Sequence, residues 1–549
     1  MKRRLVMTGI GFAAVMGQGV SLAQVASSPG VGEPTVVDGE LVFPDGTPRY
    51  LTEAERAYLK SHPLSAPVAR GPFSTPTGPV HCTAEYEPVE GILLTWKSFT
   101  SIITQMARWI TTDGNADVYI ALDSTSQQAS ATSALTAGGV NMSRVRFVIR
   151  STNTVWIRDY GPRYIYEGNC RAIIDHVYNR PRPLDDAYPA YFAQLKRHAR
   201  YNIPLVHGGG NYHLSALGES FCTRLINNEN PGLTEQQIHD YWDAFQNLDT
   251  TFFNPFPTTV DLTQHIDMWM EVTGDRSVVI SDWPFNVGST QDVICDGAAA
   301  ALEAQGWTVF RVPARSVGGN HYTYTNVVIC NNVVIIPTYT NSSVTQHNTP
   351  ALAVWQQVYP NKIIRQVNCE AMVASAGVMH CICMHMPSPM NGVNPSVYLR
   401  NLRGGETVPP GAGTTINWIS DDDALVTSVE MRLSVDSGAT YPFVIASNAA
   451  DDGAEAWNVP DVSTTSARLR LIVRDADGHI GMDQSDSDVV ISGAMSPCPG
   501  DYNASGSVDS QDLFDFLTAF FGAAGDFNGD ATTNSQDFFD FLAAFFAGC

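Results

Sequence analysis

Between residues 75 and 392 short apolar runs alternate with amphipathic patches, and no other feature constrains the fold as tightly. "GILLTW", "DVYIAL", "RVRFVIR", "SVVISDW" and "NNVVIIPTY" have the length and β-branched content of buried strands, while "TEQQIHDYWDAF" and "DGAAAALEAQG" read as helices. Strands that alternate with helices predict an α/β domain. Residues 396–495 break that pattern. They lack a convincing helix, and "TTINWIS", "SVEMRLSVD" and "ARLRLIVRDADG" alternate between turns rich in Gly, Pro and Asp, which predicts an immunoglobulin-like β-sandwich. A chain of 549 residues exceeds what one core can hold, so several domains are expected.

The first 23 residues carry a basic start, a short run of apolar and small residues, and Ser21-Leu22-Ala23 placed for cleavage. They read as a signal peptide, so an exported protein is expected, periplasmic, on the cell surface or secreted. No later stretch reaches the roughly 18 to 20 uninterrupted apolar residues that crossing a bilayer requires. Residues 24–74 are rich in Pro, Gly, Ser and Thr around one helical patch, "TEAERAYLK", and read as a leader or wrapping segment. A formal net charge of −23 argues against nucleic acid as the natural partner and suits a cationic ligand. Ten cysteines are too few for a disulfide scaffold; Cys498 and Cys549, which bracket the last segment, are the pair expected to be joined.

Residues 498–549 contain an internal repeat: "DYNASGSVDSQDLFDFLTAFFG" recurs 25 residues later as "DFNGDATTNSQDFFDFLAAFFA". In the first copy Asp501, Asn503, Ser505, Ser507, Asp509 and Asp512 fall at positions 1, 3, 5, 7, 9 and 12 of a calcium loop, Ser507 through its backbone carbonyl. Asp526, Asn528, Asp530, Thr532, Asn534 and Asp537 do the same in the second. Oxygen donors at this spacing, on a loop that opens a helix, suit a hard cation. The segment resembles a dockerin, a small α-helical paired calcium module, and the resemblance implies structural Ca²⁺ and a cohesin-like anchoring partner. Ala531 stands where the second loop should carry glycine, which is expected to weaken that site.

Four stretches of the α/β domain bring candidate chemistry: "WIRDYGP" with Asp159, "QHIDMW" with His265 and Asp267, "YTYTNV" with Asn326, and "GVMHCICM" with Cys381. On a strand, His265 and Asp267 would point to one face. A planar guanidinium presents paired N–H donors that two aspartates can grip bidentately, and burying that cation requires the compensating anions. The cation would also favour Cys381 as a thiolate aimed at the central carbon, with His265 as acid and then base. Singly, each piece is weak: an isolated His-x-Asp is more often a hydrogen-bonded core pair, and an isolated buried cysteine is usually inert.

Taken together and in order, "WIRDYGP", "HGGGNY", "HIDMW", "YTYTN" and "HCIC" resemble the guanidino-group-modifying superfamily, in its branch of Porphyromonas-type peptidylarginine deiminases and agmatine deiminases. The resemblance spans about 75–392 and implies a five-bladed, pseudo-fivefold α/β propeller, the pentein fold. It implies Asp159 and Asp267 as the guanidinium grip, His265 as acid and base, Cys381 as nucleophile, Asn326 as a polar group of the site and Trp156 beside the substrate stem, with no cofactor for catalysis.

"YNRPRPLDD" adds a specificity question. Pro181 and Pro183 stiffen the stretch around Arg180 and Arg182, as an anion receptor would require, although a surface turn paired with Asp185 and Asp186 is the plainer reading. The resemblance extends here, to a segment that grips the α-carboxylate of a C-terminal arginine, and so implies arginine-containing peptides as substrate. Leu262 offers no polar group to restrict how a peptide enters, and Cys383, on a strand, would share a face with Cys381. Two alternatives remain: a deiminase of free arginine or agmatine, and a non-catalytic scaffold-binding protein anchored by its calcium module.

Overall fold

The computed structural model describes residues 32–64, 75–423, 425–492, 499–503, 507–528 and 532–548. The expected signal peptide, Cys498, Cys549, Ser505, Asp530 and Ala531 lie outside the described residues.

Five small sheets of one design make up the α/β domain. In each, two antiparallel strands are followed by a helix and a third strand parallel to the second. Arg163–Glu167, Cys170–Tyr178 and Ala199–His207 form one such set. His213–Leu214, Glu219–Thr223 and Asp249–Phe253 form the next. Met270–Gly274, Ser277–Asp282 and Thr308–Pro313 follow, then Val328–Cys330, Val333–Thr338 and Ile363–Asn368. The remaining sheet joins the two ends of the domain: Cys383–Pro387 pairs antiparallel with Val89–Thr95, which runs parallel to Asp117–Leu122. A strand from the end of the domain thereby completes the sheet begun at its start.

The helices that cross over are anchored by local chemistry. Thr234 and Gln237 form a reciprocal capping box at the start of Glu235–Gln246, and Asn247 ends that helix in the left-handed region. Thr100–Thr112 buries Ile102, Ile103, Met106, Ala107 and Ile110 in a core shared with Val89–Thr95, Asp117–Leu122 and Val333–Thr338, a spacing of three and four residues that turns one face inward. Trp156, Trp242, Trp269, Trp283 and Trp355 are fully buried across the domain, and truncating any one would cost about 3–5 kcal/mol.

One consequence of the repeat positions the site. The turn leading into the first strand of each set carries, in chain order, Asp159, Gly210, Asp267, Asn326 and Cys381. Residues far apart in sequence thus hold equivalent places in the five repeats.

Beyond the α/β domain, Ser396–Leu399, Gly413–Asp421 and Ala454–Asn458 form one sheet, and a second is built on Val426–Ser434 and Thr464–Asp475. Trp418, Trp457, Met431 and Leu471 pack in the core of this all-β region. It is tied to its neighbour by a buried ion pair, Arg171 with Asp421 at 2.9 Å. In the tail, helices Ser510–Phe521 and Ser535–Ala547 each begin with a capping box, and Phe516 stacks on Phe541 at 4.1 Å between ring centres. Among the described residues no helix is long and apolar enough to cross a membrane.

Ahead of the α/β domain, helix Glu53–Leu59 is started by Thr52 and Glu55 in a capping box. This helix fixes the residues just before it against the α/β domain.

Candidate active site

Asp159 lies on the one-turn helix Ile157–Tyr160, and Asp267 on the 3₁₀ turn Ile266–Met268. The strand expected at His265-Ile266-Asp267 is therefore a turn. Gln264, just before it, sits at φ 61°, a left-handed conformation unfavourable for a side chain, and its amide holds the Phe256 carbonyl at 2.8 Å. The two residues nevertheless converge on one point, because the turn brings them in from different directions.

That point is occupied by the guanidinium of Arg49, from the segment read as a leader. Its Nε and Nη2 donate to Asp159 at 2.8 and 2.7 Å, and its Nη1 and Nη2 to Asp267 at 3.1 and 2.9 Å. Nη1 stands 2.7 Å from the Cys381 sulfur and Nη2 2.8 Å from His265 Nδ1. His265 Nδ1 also lies 3.4 Å from an Asp159 oxygen, so the imidazole sits between the guanidinium and that carboxylate. Every one of these side chains is buried.

Glycines make room for the cation. A Cβ at Gly210 would fall 1.8 Å from Arg49 Nη2 and 2.7 Å from an oxygen of each aspartate. The Gly210 N–H donates to Asp159 at 3.1 Å and its carbonyl accepts from the Asp267 N–H at 3.1 Å, so this backbone spaces the two carboxylates. "HGGGNY" therefore serves the site through its main chain. His207, which opens it, packs away from the guanidinium against His176, Tyr212 and Trp242.

Burial, the largest single influence, would raise the Asp159 and Asp267 carboxyls, but the Arg49 charge, together with the neighbouring histidines and the hydrogen bonds they and Arg49 make, holds both well below the usual carboxylate range. The Cys381 thiol moves the other way. Burial, with the two carboxylates adding to it, pushes it well above its ordinary value against the pull of Arg49. The guanidinium favours the thiolate, as expected, and burial opposes it.

Asn326 does not touch the guanidinium. Its amide donates to the Asp267 carbonyl at 3.2 Å and its oxygen accepts from the His380 N–H at 3.1 Å, so it pins the cysteine turn to the aspartate turn. Cys381 and Cys383 do not share a face, because His380–Ile382 is a 3₁₀ turn; the Cys383 sulfur faces Arg158 at 3.6 Å. Behind the site, His380 joins Asp267 at 3.0 Å to Glu85 at 3.0 Å, and Arg158 grips Glu85 at 2.8 Å. Nothing in the sequence pattern singles out Glu85. Its partners become visible only when the repeats assemble.

Arg180 and Arg182 are buried rather than part of a surface turn. Asp185 turns instead to the N–H groups of Asn153 and Thr154, at 2.6 and 3.1 Å, and fixes the loop leading to Trp156. Arg182 pairs with Glu55 at 2.7 Å and donates to the Pro48 carbonyl at 2.8 Å. Arg180 Nε reaches the Arg49 carbonyl at 3.3 Å. Trp156 donates through its indole N–H to the Thr47 carbonyl at 2.8 Å, and Gly377 lies against both Trp156 and the Arg49 stem. The two arginines and the tryptophan thus hold main chain on both sides of the bound side chain.

In the tail, Asp512 is buried and accepts from the N–H groups of Asn503 and Asp509 at 3.1 and 2.9 Å. Asp537 accepts from Asn528 and Asn534 in the same way, at 3.1 and 2.8 Å. In each loop the described residues at both ends thus hydrogen-bond to the twelfth.

The model of the Porphyromonas-type peptidyl-arginine deiminase family matches residues 81–387. An agmatine deiminase of Pseudomonas aeruginosa is 23% identical over 397 residues, covering 60% of this chain and 99% of its own. A putative agmatine deiminase of Photobacterium profundum is 23% identical over 292 residues, covering 45% of this chain and 78% of its own. The crystal structure of a putative arginine deiminase from Porphyromonas gingivalis superposes with a TM-score of 0.50 at 19% identity, over 56% of this chain and 98% of that one. An agmatine deiminase of Enterococcus faecalis gives 0.50 at 18%, over 57% and 98%. At these identities the likeness shows a shared pentein-type fold.

Proposed function

We propose that this chain, which belongs to the Porphyromonas-type peptidyl-arginine deiminase family and is a hydrolase of amidine C–N bonds in guanidino groups, acts on arginine within peptides, preferably at a C-terminus, and converts it to citrulline and ammonia. The observation that carries this is Arg49, a peptide-borne arginine whose side chain fills the grip while its flanking main chain is held by Arg180, Arg182 and Trp156. Agmatine has no main chain for these groups to hold.

A terminal carboxylate would take the place of the Arg49 carbonyl beside Arg180. The hydrogen-bond acceptors of Arg180 are backbone carbonyls, of Arg49 and Asn179, and among the described residues no carboxylate lies within ion-pair distance of it. A buried guanidinium of that kind favours an incoming anion.

In the reaction, Asp159 and Asp267 orient the guanidinium and present its central carbon to Cys381. The thiol proton passes to His265 as the carbon–sulfur bond forms. His265 then gives a proton to Nη2, the nitrogen it faces at 2.8 Å, which leaves as ammonia. Water, deprotonated by the same histidine, attacks the thiouronium; the carbon–sulfur bond breaks, returning the thiol and a ureide. Burial opposes ionisation of the thiol and the bound guanidinium favours it, so the substrate's own charge assists the attack.

The basic and apolar start supports export. The spacing of oxygen donors, with the described loop ends bonded to the twelfth residue, supports structural calcium in the tail: Asp501, Asn503, Asp509 and Asp512 would hold one ion together with Ser505 and Ser507, and Asp526, Asn528, Asn534 and Asp537 the other with Asp530 and Thr532. The paired helices then offer a face to a cohesin-like partner, and the two-sheet region fits an immunoglobulin-like spacer.

Ammonia and citrulline release should be measured for the full-length protein and its Arg49→Ala variant with a peptide ending in arginine, the same peptide amidated, and agmatine. Preference for the free C-terminal arginine, abolished by Cys381→Ala, is expected. Turnover of agmatine alone, or of none of the three, overturns the proposal.

A further inference from the structure

The site is filled by the chain's own residue, and the manner of filling has a chemical consequence. Arg49 is held along its whole length. Its N–H donates to the Ser375 carbonyl at 3.0 Å, its carbonyl accepts from Arg180, and the carbonyls on either side, of Pro48 and Tyr50, accept from Arg182 at 2.8 and 3.4 Å. Glu55, six residues on, clamps Arg182 through a fully buried ion pair while also closing the capping box of helix Glu53–Leu59. The segment is thus seated by its main chain and by a carboxylate of its own. It does not rest on the arginine side chain alone.

A blocking peptide need only fill the space, and a side chain with no reactive carbon would do so without risk. Arg49 instead makes each contact the proposed reaction uses: two bidentate carboxylates, the nucleophilic sulfur at one terminal nitrogen and the histidine at the other. We propose that Arg49 is a modification site, the enzyme's own first substrate, deiminated in cis, and that its conversion frees the site for other arginines. This rests on the deiminase reading above. The step balances as that reaction does: Cys381 displaces one guanidinium nitrogen as ammonia, water displaces the sulfur, and Arg49 becomes citrulline.

Release follows from electrostatics. The ureide is neutral, so Asp159 and Asp267 lose the cation that helps hold both ionised in a buried place, and a carbonyl oxygen replaces a nitrogen that donated to both carboxylates. Two buried carboxylates without a counter-charge favour either water or the next guanidinium. Residue 49 then leaves, and an incoming peptide arginine meets Arg180 unoccupied.

The test is peptide mass mapping across residue 49 in the full-length wild type and in Cys381→Ala, followed over time after synthesis at two well-separated protein concentrations, alongside turnover of an added C-terminal arginine peptide. The wild type is expected to carry citrulline at position 49, formed at the same rate at both concentrations, while Cys381→Ala keeps arginine. Arg49→Lys, which retains the charge but has no amidine carbon, is expected to stay seated and to turn over added peptide more slowly than Arg49→Ala. A wild type that deiminates the added peptide yet keeps Arg49 overturns this inference and leaves the proposed function standing. A rate that scales with protein concentration overturns the in-cis step, and equal activity of the lysine and alanine variants overturns the release. If neither the added peptide nor Arg49 changes, both proposals fail.

Discussion

Replacing Arg180 by glutamine separates recognition of a terminal carboxylate from recognition of the guanidinium. Arg180 Nε lies 3.3 Å from the carbonyl of the bound arginine and is buried, so screening by water is small. A hydrogen bond with an ionised partner is worth about 1.5–3 kcal/mol, toward the high end when the guanidinium meets a carboxylate and toward the low end when it meets a neutral carbonyl, and the neutral amide of glutamine recovers about 1 kcal/mol of either. At about 1.4 kcal/mol per tenfold, a loss near 2 kcal/mol lowers kcat/KM about 30-fold for a peptide ending in arginine, against about 5-fold for its amide. Agmatine, which places nothing beside Arg180, should be unaffected. The assay is initial-rate citrulline or ammonia release in an Arg49→Ala background, so that the chain's own segment does not compete. Equal losses for all three substrates would show that Arg180 supports the fold of the site and does not read a carboxylate.

Gly210→Ala should abolish guanidinium binding without unfolding the domain, because the added methyl would fall 1.8 Å from the bound nitrogen. A drop in kcat/KM of more than about a hundredfold is expected, with an unchanged circular dichroism spectrum. Glu55→Ala leaves Arg182 buried without its carboxylate, and breaking such a pair costs about 3–5 kcal/mol. The segment around Arg49 should then be cleaved faster in limited proteolysis, and unchanged protection would refute the clamp. The carboxylates give a pH signature: burial opposes their ionisation but Arg49 depresses both, so their contribution is fully present above the unfolded value of about 3.9 and lost as pH falls toward the depressed values. In Cys381→Ala protein, protection of the segment should therefore be flat from about pH 5 to 8 and fall only below about pH 4; loss near neutrality would contradict it. Removing calcium with a chelator should lower the helical signal of the tail, and an unchanged spectrum would argue against metal in its loops.

Much of this was legible because the relevant signals are local. "DVYIAL" becomes the strand Asp117–Leu122, and "TEAERAYLK" carries within itself the Thr52 and Glu55 that cap its helix. The aspartates, the histidine and the cysteine were recognisable as a set because a guanidinium demands that combination of charges. Their conformations were not recognisable. His265-Ile266-Asp267 and Cys381-Ile382-Cys383 have the spacing of strand neighbours, yet both enter through 3₁₀ turns, and so Cys383 faces Arg158 rather than the substrate. The plain reading of Arg182 paired its charge with Asp185 or Asp186, its neighbours in sequence. In the folded chain those carboxylates serve backbone N–H groups, and Glu55 takes the arginine.

Arg49 shows where sequence stops and tertiary structure begins. By itself the sequence determined the chemistry on offer: a deiminase set of acids, base and thiol, on a repeat of strands and helices that recurs often enough to build five sheets. Which arginine fills the grip, which carboxylate answers Arg182 and which backbone spaces the two aspartates were decided only in three dimensions. Ion pairing depends on distance and burial, and a contact such as Arg49 with Cys381, separated by 332 residues, leaves no trace in the local pattern of either.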